Sequence, residues 1–165
     1  MTARSRVALG LLLAIAVVLV LFGVGDIASG PDADPAITVA VAGRPPGEVR
    51  AAEPTGYRLY DFAIRASGLN LAVIGVLMVS ILAVPYRSGV RWAWATMWVL
   101  PAWAVAVPVL IVGFGPAPGT ALPPPAISGP ILAGVAALAL LLDRRRFATR
   151  PTPAPSLELG SATAA

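Results

Sequence analysis

The chain contains no cysteine, no histidine and no lysine. Without cysteine there are no disulfides and no thiol redox chemistry. The usual zinc sites need Cys or His ligands, so they are excluded, as are His-ligated haem and His-based catalytic triads. No cofactor and no metal site is expected, and the residue inventory offers no catalytic group, so the protein is not expected to be an enzyme. Charge is also scarce. Only 12% of residues are charged and 58% are hydrophobic, whereas a soluble domain carries about 25% charged residues to stay in solution. With a mean hydropathy of +0.82, the chain belongs in a membrane.

What charge there is has one dominant sign. The formal net charge is +4 and the isoelectric point is near 10.7. In a soluble protein this would raise nucleic acid as a partner. Here the arginines flank apolar runs, as the residues that orient membrane spans do, and nucleic acid is not expected. The bias toward Ala, Arg, Pro and Gly with no Lys points to a GC-rich bacterial genome.

Four apolar runs follow one another. A helix of about 20 residues crosses a hydrocarbon core of about 30 Å. Residues 7–25, "VALGLLLAIAVVLVLFGVG", meet that length behind a short N-terminus (1–6) carrying Arg4 and Arg6. The run is longer than a signal-peptide core and is expected to be a retained anchor. Residues 26–65 form a long outer loop broken by "SGPDADP", "GRPPGE" and "AAEPTG", clusters that favour turns. Within it, "AITVAVAG" is short and β-branched and admits a single strand, although an isolated strand is not stable alone. The loop is expected to end in an interfacial helix containing "YRLYDFAIR". The second span covers 66–84, a cytoplasmic turn 85–91, the third span 92–112, an outer loop 113–125 and the fourth span 126–142. A basic, Pro-rich tail (143–165) is expected to be disordered. The fold class is therefore all-α, a four-helix transmembrane bundle with a long extracytoplasmic first loop. Arg4, Arg6, Arg87, Arg91, Arg144, Arg145, Arg146 and Arg150 all fall on one side, which places both termini in the cytoplasm of a bacterial cell.

Several residues stand out as candidate sites. Asp61, Arg65, Gly68, Ala72, Gly75 and Val79 recur at steps of four, three, four, three and four, on one helical face. Its deep part, Gly68, Ala72 and Gly75, is small, and small residues let helices approach closely in lipid. Its outer part, with Arg58, can bind an anionic headgroup or simply anchor a helix end, the latter worth about 0.2–0.5 kcal/mol per exposed pair. Asn70 faces roughly the opposite way and can hydrogen-bond across helices or contact a ligand. In "VPYRSGVRWAWATMWVLP", Arg87 and Arg91 hold a turn inside the cell, and Tyr86, Trp92 and Trp94 are expected at the interface as amphipathic rings. Pro101 and Pro108 tend to kink the third span. The run "RRRFATR" attracts anionic lipid at about 1 kcal/mol per basic residue. No Asp or Glu is expected within the spans, which argues against ion-coupled transport.

Arg65 followed by Gly68, then "YRSG", "RWAW" and a span entering Pro101, resembles a group of small, uncharacterised four-span bacterial membrane proteins. The architecture is also similar to DoxX-like four-helix membrane proteins. Neither resemblance implies an activity or a site residue. The expected role is that of a non-enzymatic membrane protein packing with itself or with a membrane-protein partner through the Gly68, Ala72 and Gly75 face, in contact with membrane lipid. The alternative is a carrier or enzyme for an apolar or lipid-like ligand held between helices two, three and four.

Overall fold

A computed structural model describes residues 2–148. Its long helices are α1 (Ala3–Ser29), α4 (Pro54–Ile81), α6 (Val99–Phe114) and α7 (Pro124–Ala148). Shorter helices α2 (Pro35–Ala42) and α3 (Pro46–Ala52) lie between α1 and α4, and α5 (Arg91–Thr96) precedes α6. A π turn, Leu82–Tyr86, prolongs α4. With these extensions, four segments are long and apolar enough to cross a membrane: Ala3–Asp32, Pro54–Tyr86, Arg91–Phe114 and Pro124–Ala148. The described chain is all-α.

The lateral order of the helices is α4, α1, α7, α6. Helix α1 packs along α4 on one side and along α7 on the other, and α6 packs along α7. The second and third spans meet through the π turn and α5, at the end of the molecule where the arginines gather. The buried core is made largely at this basic end, from Ala8, Leu12, Leu82, Tyr86, Met97 and Leu140 among others.

Each long helix presents one stripe to its neighbours. In α1 it is Ser5, Ala8, Leu12, Ala16, Leu19 and Gly23. In α7 it includes Gly129, Ala133, Ala136, Leu140, Asp143 and Phe147. Large apolar side chains such as Phe22, Leu69, Val109 and Ile131 point outward, the reverse of a soluble protein and the arrangement lipid requires.

The segment "AITVAVAG" is a helix, not a strand. Asp34 caps α2 by accepting from the Ala36 amide at 3.2 Å, Pro35 opens the first turn, and Gly43 closes it at φ 69°. Those signals outweigh the β-branched composition. The later loop is pinned to α2, where the Ala40 carbonyl accepts from the Ala117 amide at 2.7 Å and from Thr120 Oγ1 at 3.1 Å.

The third span is divided at Met97 and Trp98. Pro101 has no amide to donate to the Met97 carbonyl, and Leu100 bonds that carbonyl instead at 3.1 Å. Pro108 stays inside a continuous α6 and packs on Gly129, where an added Cβ would lie 3.1 Å from Pro108 Cδ. The fourth helix does not end at Leu142. It continues through "DRRRFA" to Ala148, so the first residues of the expected tail are helical, and the rest of that tail lies outside the described residues.

Candidate functional site

The most heavily built polar site lies at the basic end, where the starts and ends of three spans converge. Thr2 caps α1, and Ser5 in its first turn is buried. Ser5 Oγ donates to Asp143 Oδ1 at 2.5 Å. Asp143 is only 2% exposed. Its other oxygen, Oδ2, is 3.6 Å from Arg146 Nη1, an ion pair one helical turn along α7. Arg146 in turn donates to the Arg87 carbonyl, and its guanidinium lies over the Phe147 ring. Tyr86 is fully buried beside Asp143 and Arg146. Tyr86 Oη, Asp143 Oδ2 and Arg146 Nη1 are thus buried polar atoms gathered at one junction.

Two sequence expectations are corrected here. Tyr86 is a core residue and not an interface ring, because the stripe of α4 continues by steps of three and four from Val79 through Leu82 to Tyr86. Asp143, expected at the start of a disordered tail, is instead buried within helix α7. It lies on the packed stripe of α7, four residues before Phe147.

An aromatic chain leads outward from this junction. Tyr86 and Phe147 have ring centroids 5.0 Å apart. Phe147 stacks on Trp94 at 6.2 Å, and Trp94 meets Trp98 edge-on at 5.9 Å. The Trp94 indole N–H donates to the Leu140 carbonyl at 3.0 Å, which fastens α5 against the last turns of α7. Trp92, on the other side of α5, is 55% exposed. Between α5 and α7 lies a cleft of about 700 Å³ lined by Arg91, Trp92, Trp94, Arg144, Arg145 and Phe147. A second cleft, of about 620 Å³, is lined by Arg6, Leu9, Leu13 and Arg87. Arg87 and Arg91, close in sequence, thus face different clefts.

The opposite end holds the other charged candidates. Arg65 Nε donates to both carboxylate oxygens of Asp61 at 3.1 Å. The same guanidinium donates to the carbonyls of Ile27 and Ala28. These carbonyls belong to the last turn of α1, where helical partners run out and a cation is favoured. Arg58 is exposed and is not part of this arrangement. Arg50, nearby, bonds Tyr57 Oη at 2.8 Å and Asp32 at 3.1 Å.

The small-residue stripe is already occupied by α1 of the same chain. A Cβ added at Gly68 would lie 2.5 Å from Asp26 Cβ and 2.8 Å from the Gly23 carbonyl oxygen. At Gly75 it would lie 2.7 Å from Val20 Cγ2 and 3.0 Å from the Ala16 carbonyl oxygen. Ala72 meets Gly23 from across the interface. Within the chain, α1 therefore covers the Gly68 and Gly75 positions of this face. Asn70 is exposed on another side of α4. No family model, curated protein or solved structure shows a significant match to the chain.

Proposed function

We propose that the chain is a non-enzymatic integral protein of a bacterial cytoplasmic membrane, akin to the small four-span proteins it resembles, and that it acts by packing with a second copy of itself. The observation that carries this reading is Asn70. It is an exposed amide on a spanning helix, about 7 Å further along α4 than Arg65 by helical rise. Two other polar side chains on the spans bond within their own helix: Ser80 donates to the Val76 carbonyl at 2.9 Å and Thr96 to the Trp92 carbonyl at 2.9 Å. A carboxamide carries both donors and an acceptor, so the same residue of another copy satisfies it. Such interhelical bonds contribute about 0.6 kcal/mol on average in membranes.

The test is energy transfer between donor- and acceptor-labelled copies in bilayers at graded dilution. Asn70→Leu should shift the association curve to higher protein density, and Asn70→Gln should retain part of it. Unchanged curves for both variants would remove the proposal.

A second reading has its own observation. The second and third spans meet through the π turn and α5 at the basic end, and the second reading puts an apolar or lipid-like ligand between them further along. Native mass spectrometry of protein extracted with its surrounding lipid separates the two readings. One retained apolar mass on a monomer supports the ligand, and a dimer without it supports association.

A further inference from the structure

We infer that the cleft between α5 and α7 is a phosphate-recognition site that takes the headgroup of an anionic membrane lipid. Its cations come from two separate segments, Arg91 at the start of α5 and Arg144 with Arg145 near the end of α7. Elsewhere in the chain, arginines near carboxylates are committed to them: Arg65 to Asp61, Arg50 to Asp32 and Arg146 to Asp143. Among the described residues Arg91 and Arg144 have no ion-pair partner, and both are exposed. Guanidinium groups match phosphate oxygens in pairs.

The rest of the cleft suits a lipid. Trp92, Trp94 and Phe147 supply an apolar aromatic wall. Trp94 is held by its bond to the Leu140 carbonyl and by its stack on Phe147, so the wall is formed before any ligand arrives. Amphipathic rings beside basic residues belong at headgroup depth. The second cleft, by contrast, has Leu9 and Leu13 between Arg6 and Arg87 and no aromatic wall. The inference is independent of association through Asn70.

The experiment is native mass spectrometry of the full chain in detergent, titrated separately with phosphatidylglycerol, phosphatidylcholine and glycerol 3-phosphate. One phosphatidylglycerol should be retained in preference to phosphatidylcholine. The double variant Arg91→Gln/Arg144→Gln removes two exposed cations and should weaken retention roughly 30-fold, from about 1 kcal/mol per basic residue. Arg4→Gln/Arg6→Gln removes the same charge at the same end but outside the cleft, and should change retention less than threefold. Equal losses for the two pairs would mean diffuse attraction and would overturn a built site. Glycerol 3-phosphate binding as tightly as the lipid would keep the phosphate site but overturn the lipid as its source. Binding of neither would overturn the whole inference. Helical content of both variants, read by circular dichroism, confirms that they are folded when compared.

Discussion

Ser5 and Asp143 stand 138 positions apart in the chain and meet at 2.5 Å. The first turn of the first span is thereby tied to the last turns of the fourth. The bond is buried, and the acid also holds Arg146, which donates to the Arg87 carbonyl, so a single carboxylate links the first and fourth spans to the turn after the second.

Removing that carboxylate should be costly. Asp143→Ala leaves the Arg146 guanidinium and the Ser5 hydroxyl without their acceptor. Breaking a buried ion pair by deleting one partner costs about 3–5 kcal/mol, and the partial exposure of Arg146 puts the expected loss near the lower figure. Ser5→Ala should cost only about 1 kcal/mol. Asp143→Asn, which keeps an acceptor for Ser5, should fall between them. Thermal unfolding in detergent ranks the three, and an Asp143→Ala protein as stable as the parent would contradict the junction described here.

The glycines of α4 make a contrasting prediction. Gly68→Ala and Gly75→Ala each force α1 and α4 apart, because neighbouring atoms already lie within 2.5–3.0 Å of the new Cβ. Overpacking of this kind typically costs about 1–3 kcal/mol. Gly10→Ala meets nothing within 4 Å and should stabilise α1 slightly through helix propensity. The discriminating measurement is unfolding of the protein at high dilution. A loss of stability seen only under associating conditions would return the stripe to the role of an intermolecular face.

At the other end, Arg65 and Arg58 should behave differently despite lying on the same helix. Arg65→Ala removes the guanidinium that caps the last turn of α1, and hydrogen bonds from charged groups contribute about 1.5–3 kcal/mol. Arg58→Ala, at an exposed position, should stay within about 0.5 kcal/mol. Hydrogen exchange of the α1 C-terminal amides reports the difference locally. Equal protection in the two variants would show that Arg65 is not the cap.

The proposed orientation predicts a labelling pattern that the absence of native cysteine makes clean. Ser88→Cys lies in the turn at the basic end, and Ala121→Cys in the loop at the other. In intact cells a membrane-impermeant maleimide should label position 121 and leave position 88 until the membrane is opened. The reverse pattern would invert the topology.

Much of the architecture was legible because lipid imposes a coarse rule, that a span is long, apolar and flanked by charge. Arg4 and Arg6 in the first turn of α1 and the arginines after Leu142 mark span ends by composition alone. Partner choice was less legible. The small face of α4 could be read, but not that Ala16 and Gly23 of α1 fill it, although Ser5, Ala8, Leu12, Ala16, Leu19 and Gly23 recur by threes and fours. The same periodicity, followed from Gly129 to Phe147, carries Asp143 onto a buried stripe. Composition hid this, since an acid next to three arginines reads as a solvated end. The helix α2 was missed for a related reason: Val and Ile suggest a strand, while Asp34, Pro35 and Gly43 at its boundaries specify the helix that forms.

The lateral order α4, α1, α7, α6 also sets a timetable. The first span is synthesised well before the fourth, yet α7 is one of its two flanking neighbours. Until residue 143 has been synthesised, Ser5 has no acceptor and the inward face of α1 stays half covered. A chain interrupted before the fourth span therefore presents an incomplete, polar-tipped helix to whatever surveys nascent membrane proteins. The interior closes only once the fourth span has been made, so products truncated before it should be cleared faster than chains that contain it.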